Sequence, residues 1–275
     1  MNGALPRIDA SVVSDRGRVR EANEDRVRLV RPADAETLAR RGVLVLVADG
    51  MGGHLAGEVA SDLATATIHR AYYDCPGEVP DALRGAFLEA NRLILEQASN
   101  DPALQGMGTT CTALVILGWK AHWAHVGDSR LYLARAGRLY QMTEDHSAVA
   151  RLVAQGLISR ADARRHEDRN VILRALGTHM DLEVDVSAHP IDLQDGDRCL
   201  LATDGLCDLV DDDDLLRLGG HGPVAEASGQ LVELAKARGG HDNITVALVA
   251  VEGAGGDERG TGTGEPPETA TWRAP

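Results

Sequence analysis

The sequence has 275 residues, 44% hydrophobic and 25% charged, which suits one large core or two small ones. Its net charge of −14 at pH 7 argues against nucleic acid or an anionic membrane as the main partner, because both demand basic surface. The longest apolar run, residues 43–48, is too short to cross a bilayer, and the start MNGALPRIDA lacks the regions of a signal peptide. A cytoplasmic, monomeric protein is the expectation.

In chain order, the first patterned stretch is SDRGRVREANEDR, residues 14–26. Arg20 stands there among polar residues, with Asn23, Glu24 and Asp25 following. A guanidinium presents a planar fork of donors that matches a phosphate, although such a stretch also reads as a charged loop or edge strand. A β-type run at 43–48 leads into DGMGGH, and helical periodicity follows over 56–73 and 80–99. In the second helix Leu83, Phe87, Ala90, Ile94 and Ala98 recur on one face. Strands are predicted at 110–117, 121–126 and 131–134, the last turning back at Ala136-Gly137 into residues 138–141. A helix is predicted at 147–155, a strand at 198–202, a helix at 223–238 and a strand at 244–251. The acidic run Asp211–Asp214 reads as a helix N-terminus stabilised by the macrodipole; it lacks the Gly and terminal Glu of a calcium loop. Consecutive hairpins with long paired helices indicate an α/β sandwich, antiparallel sheets covered by helices. Beyond the last strand, Gly, Thr, Glu and Pro dominate. The predicted organisation is a lead at 1–7, one domain at 8–252 and a disordered tail at 253–275.

Cys75, Cys111, Cys199 and Cys207 form no C-x-x-C pair and are read as reduced core residues. Four aspartates sit where strand-like runs meet glycine or asparagine: Asp49, Asp128, Asp204 and Asp242. Asp is a poor strand former and its charge is costly inside a sheet, so their repetition implies convergence at one edge of the sandwich. Gly50 and Gly205 are expected to let the backbone turn sharply there. A set of hard oxygen ligands selects Mg²⁺, Mn²⁺ or Ca²⁺ over zinc or copper. Taken singly, each Asp also reads as a turn or helix cap.

The ordered set S-D-x-G-x-x-R-x-x-N-E-D (14–25), D-G-M-G-G-H (49–54), G-T-T (108–110), V-G-D-S-R (126–130), T-x-D-H-S (143–147), R-A-L-G (174–177), T-D-G-L (203–206) and D-N-I-T (242–245) resembles the PP2C (PPM) family of metal-dependent protein serine/threonine phosphatases, bacterial type. That resemblance implies two antiparallel β-sheets packed face to face and flanked by pairs of antiparallel helices. It implies a dinuclear Mn²⁺ or Mg²⁺ centre with Asp49 bridging, the Gly50 carbonyl on one ion and Asp204 and Asp242 on the other. Glu24 and Asp25 would hold metal-bound waters, Asp128 would help bind a third ion, and Arg20 would grip the substrate phosphate. A metal-activated water would then hydrolyse phosphoserine or phosphothreonine in proteins, opposing a Hanks-type serine/threonine kinase. The chain departs from the animal-type pattern at Met51, where a histidine general acid is found; His54 is the candidate in its place, and also reads as a helix start. Residues 147–170 resemble the bacterial flap, with His166-Glu167 where the family has His-Pro. Its basic residues Arg160, Arg164, Arg165 and Arg169, with Arg174 beyond it, suit acidic phosphopeptides or a solvated helix face. Two rival readings remain: a nucleotide-binding strand–loop–helix, for which G-x-G-x-x-G is incomplete, and a catalytically silent phosphoprotein-binding module.

Overall fold

The structure, a computed structural model, describes residues 5–52 and 55–253. His54, residues 1–4 of the predicted lead and all but the first residue of the predicted tail lie outside the described residues.

Two antiparallel sheets form the centre. The first is built from β1 (Arg7–Asp15), β7 (Arg130–Arg135), β8 (Arg138–Gln141), β11 (Arg198–Ala202) and β12 (Ile244–Glu252), in the order β1-β12-β11-β7-β8. The second has β2 (Asp25–Val30), β3 (Val43–Met51), β5 (Cys111–Leu117), β6 (Lys120–Val126) and β10 (Ile191–Asp192), in the order β10-β6-β5-β3-β2. Short β4 (Gly108–Thr109) pairs with the end of β3, and β9 (Asp185–Val186) pairs with β6. The turn after β7 places Ala136 at φ 48° and Gly137 at φ 72°, the double left-handed geometry of a tight hairpin.

Helices cover both outer faces. Helices α2 (Leu55–Asp74) and α3 (Val79–Asn100) pack on the second sheet, where Leu44, Leu46 and Ala48 meet Ile68, Leu83 and Phe87. Helices α7 (Asp212–Gly219) and α8 (Val224–Ala237) pack on the first, against Leu200, Val246 and Leu248. Asp211 caps α7, accepting from the Asp214 N–H at 3.0 Å, so the acidic run is a helix N-terminus as its sequence indicates. Helix α1 (Ala35–Arg41), which the sequence reading had not placed, fills the connection from β2 to β3.

Between the sheets lies a third apolar layer, Val45, Val47, Leu114, Ile116, Leu131, Leu201 and Val249. Strand periodicity dictates its composition, because alternate residues share a face. Extending each strand by the same step of two reaches Asp49 from Val47, Thr112 from Leu114, Thr203 from Leu201 and Thr245 from Ala247. At one end of the sandwich the inter-sheet layer therefore changes from aliphatic to polar. The three cysteines Cys111, Cys199 and Cys207 are buried and free, and Cys75 is free and half-buried. Burial pushes the Cys199 and Cys207 thiols up to about 12, away from any role as a nucleophile.

Candidate metal centre

The polar end of the sandwich collects carboxylates from both sheets. Asp25 opens β2 and stands directly opposite Asp49 of β3 in the antiparallel register. Asp204 begins α6 (Asp204–Cys207), immediately after β11; Asp242 immediately precedes Asn243 and β12; Asp128 lies in the turn from β6 to β7. The predicted convergence of Asp49, Asp128, Asp204 and Asp242 is thus built by strand ends, with Asp25 added from a strand the sequence reading had not drawn.

The glycines serve a different purpose from the expected sharp turn. Neither Gly50 nor Gly205 has a positive φ, and Gly50 stays within β3. What they supply is space. A Cβ on Gly50 would come within 2.1 Å of the Gly57 carbonyl oxygen, and one on Gly205 within 1.9 Å of the Asn243 carbonyl oxygen. The absent side chains let β3 approach α2, and the start of α6 approach Asn243 before β12, closely enough to bring the carboxylates together.

Asn243 ties the N-terminal loop to this cluster. Its Oδ1 accepts from the Glu24 N–H at 2.8 Å, while its Nδ2 donates to the carbonyls of Arg16 at 3.0 Å and Ala22 at 2.8 Å. The Glu24 carbonyl accepts from Ser61 Oγ at 2.6 Å, and the Glu24 carboxylate lies against Gly57. The Arg20 Nη2 donates to Asp242 Oδ2 at 2.8 Å on the solvent side of the cluster. Partial burial opposes the Arg20 charge, but this hydrogen bond and the nearby Glu24 and Asp49 hold its pKa above the ordinary value.

Crowding shows in the acidities. Burial, then Asp25, Asp204 and Asp128, raise the Asp49 pKa well above the usual carboxylate range, and Asp49 shares a hydrogen bond with Asp204. Burial followed by Asp208 and Asp242 pushes Asp204 up to about 6. Asp25 reaches about 7, mainly through burial, although Thr245 and Thr203 hydrogen-bond to it. Asp128 is raised by burial and then by Asp204 and Asp145.

This environment fits divalent cations. Oδ1 of Asp25, of Asp128 and of Asp204 are buried oxygens with no hydrogen-bond partner, an arrangement that calls for a positive charge. The donors are all hard oxygens, as Mg²⁺ and Mn²⁺ prefer. Among the described residues no three His, Cys, Asp or Glu side chains are arranged to hold an ion by themselves. Ions seated here would keep part of their water shell, as Mg²⁺ commonly does.

The profile of the family described as Protein phosphatase 2C matches residues 10–152. The serine/threonine protein phosphatase PstP of Mycobacterium tuberculosis is 42% identical over 239 residues, covering 86% of this chain and 44% of that protein. The chain belongs to the protein phosphatase 2C family. The serine/threonine phosphatase stp of Listeria welshimeri is 38% identical over 250 residues, covering 88% of this chain and 95% of the relative. In three dimensions the chain is similar to the crystal structure of the PstP catalytic domain in complex with 2 manganese ions, with a TM-score of 0.78 and 39% identity over 90% of this chain and 100% of that one. The sandwich of two antiparallel sheets is thus the fold of this family. The chain spans less than half the length of its mycobacterial PstP relative, 44%.

A cavity of about 920 Å³ opens beside the carboxylates of this family member. Asp128, Asp204 and Asp208 line one side; Arg160, Arg164, Arg169 and Arg174 line another, while Arg165 is not among its lining residues. The flap wall is formed by α4 (Ala148–Ala154), capped by Ser147, and α5 (Arg160–Ala163) with a Ser159–Asp162 capping box. Sequence reasoning gave no part to Asp208, one turn beyond Asp204, nor to Thr203 and Asn243 as the residues that hold the cluster together. The motif letters T-D-G and D-N contained the last two, but only the aspartates carried an obvious chemistry.

Proposed function

We propose that this chain hydrolyses phosphoserine and phosphothreonine in proteins at a centre holding two Mn²⁺ or Mg²⁺ ions. The observation that carries this reading is the convergence of Asp25, Asp49, Asp128 and Asp204 around buried oxygens lacking a proton donor. Each relative above is named a serine/threonine phosphatase. When bound, divalent ions would lower the pKa of a water and neutralise phosphate charge.

In this reading Asp49, the Gly50 carbonyl, Asp204 and Asp242 hold the two ions, with Glu24 and Asp25 on their waters and Asp128 on a third. Arg20, reaching the cluster from its solvent side, binds a phosphate oxygen with donors not engaged by Asp242. The cavity under α4 and α5 receives the peptide, its arginines favouring acidic flanking residues. His54 is proposed on sequence grounds as the proton donor to the leaving serine or threonine oxygen; a pH–rate profile unmoved by His54→Ala removes that role. A serine/threonine kinase and its substrates are the proposed partners, and the cytoplasm the proposed location. Among the described residues no helix is long and apolar enough to cross a membrane.

The decisive experiment is phosphopeptide hydrolysis with and without Mn²⁺. Turnover that requires the ion and disappears in Asp204→Asn is expected. Turnover indifferent to both sinks the metal-centre reading, and no turnover with the ion present sinks the proposal in favour of the silent binding module.

A further inference from the structure

Two motifs of the sequence, T-E-D-H-S and R-A-L-G, hold neither ion nor phosphate in the reading above, although Arg174 of the second lines the peptide cavity. Both meet at His146, which is 8% exposed. The His146 N–H donates to the Gly127 carbonyl at 2.7 Å, and the Gly127 N–H donates back to His146 Nδ1 at 3.1 Å. A backbone N–H can only donate, so Nδ1 must be the acceptor and the neutral ring carries its proton on Nε2. That proton points to Asp185 Oδ2 at 3.1 Å. Asp185 is fixed in turn by Arg174 Nη1, which donates to its Oδ1 at 2.9 Å. The ring also lies 4.8 Å from that of His125, whose Nδ1 is 2.8 Å from Thr112 Oγ1.

The same residue holds the base of the flap. The Leu173 N–H donates to the His146 carbonyl at 2.7 Å and the Ala148 N–H to the Val171 carbonyl at 2.8 Å. Residues 146–148, entering the flap, and 171–173, leaving it, are thereby zipped together through an isolated bridge between Ser147 and Ile172. Gly127 is itself constrained: φ is 115°, and a Cβ there would meet Thr110 Cβ at 2.4 Å.

We propose that His146 is a positioning residue that couples the seating of the flap base to the placement of the Asp128 turn. The ring and main chain of one residue grip Gly127 from both sides while its carbonyl anchors the returning segment of the flap. If the flap base parts, the returning segment loses its hold on His146, and the turn that presents Asp128 loses its brace. Any consequence for metal binding rests on the reading of Asp128 as a ligand; the coupling does not.

Amide hydrogen exchange, followed by NMR on the full metal-free chain, tests the coupling. His146→Gln keeps a polar group near Asp185 but withdraws the acceptor from Gly127, whereas His146→Asn places an acceptor where Nδ1 stands. Exchange at Gly127 and at Leu173 should quicken about tenfold in the Gln variant and return to within about threefold of the parent in the Asn variant. Asp185→Asn, which leaves the His146 ring in place, should quicken Gly127 in the same direction and covers the case in which His146→Gln does not fold. Unchanged exchange at Gly127 in folded His146→Gln or in folded Asp185→Asn overturns the proposal. So does equal acceleration in the Gln and Asn variants across the whole domain, the pattern of simple destabilisation. The Mn²⁺ concentration for half-maximal phosphopeptide turnover should rise in His146→Gln alongside the exchange. If exchange responds while Mn²⁺ dependence does not, the coupling stands and the assignment of an ion to Asp128 falls.

Discussion

Thr203 Oγ1 donates to Asp25 Oδ2 at 2.9 Å, joining the end of one sheet to the start of the other across the inter-sheet layer. Thr203 also receives the Thr245 N–H at 3.1 Å, so one hydroxyl links β2, β11 and β12 where the carboxylates converge. Asp25 is 1% exposed and its other oxygen has no partner, so the hydroxyls of Thr245 and Thr203 are what stabilise its charge.

Thr203→Val keeps the shape and removes the donor. It should destabilise the metal-free chain by about 1 kcal/mol or more, the usual effect of removing one donor from a buried acceptor, and lower Tm by several degrees. Thermal melting with and without Mn²⁺ checks this. Mn²⁺ should recover part of the loss, since a cation offers Asp25 another source of positive potential.

The carboxylate acidities set a pH dependence for the metal effect. Asp25 at about 7 and Asp204 at about 6 lie above the unfolded value of about 3.9. In the metal-free protein the unfolded chain therefore ionises first, and these groups subtract stability progressively as pH rises from about 4 to about 7. Bound cations reverse that penalty. The Tm gain from saturating Mn²⁺ should accordingly be larger at pH 8 than at pH 5, and should shrink in Asp204→Asn, whose metal-free form melts higher than the parent at pH 8.

His125 acts in the opposite sense. Burial, then the neighbouring His146, depress it to about 4, below the unfolded value of about 6.5. The folded state thus gains stability that is fully present above about pH 6.5 and lost as pH falls towards 4, to a limit of about 3 kcal/mol. His125→Gln, compared with the parent at pH 7 and pH 4.5 by urea unfolding, should show a weaker decline on acidification.

Arg20 tests the phosphate reading. With its side chain half exposed and one nitrogen on Asp242, it can be removed with little effect on folding. Arg20→Ala should raise KM for a phosphopeptide about tenfold or more, and Arg20→Lys should recover only part of it, because an ammonium lacks the planar fork. Steady-state kinetics at saturating Mn²⁺ measures both.

Much of this protein was legible in its sequence because local rules suffice for it. The alternation of Val43–Val47 and its neighbours placed the central strands, the spacing of Leu83, Phe87 and Ile94 placed α3, and charge-bearing Asp at the ends of apolar runs pointed to one acidic edge. β1 and β2 are not delimited by the sequence because they are edge strands with exposed polar faces, and the stretch 14–26 that joins them reads equally as a charged loop or an edge strand. What only the tertiary structure decided is contact between residues distant in sequence. That Asp25 faces Asp49 follows from strand register, that Gly50 and Gly205 provide room rather than a turn follows from packing against Gly57 and Asn243, and that His146 grips Gly127 follows from the path of the chain after β8, which carries it back beside the β6–β7 turn. Periodicity fixes which face a side chain occupies; which partner it meets there depends on how the sheets and loops are brought together, and no local pattern encodes that.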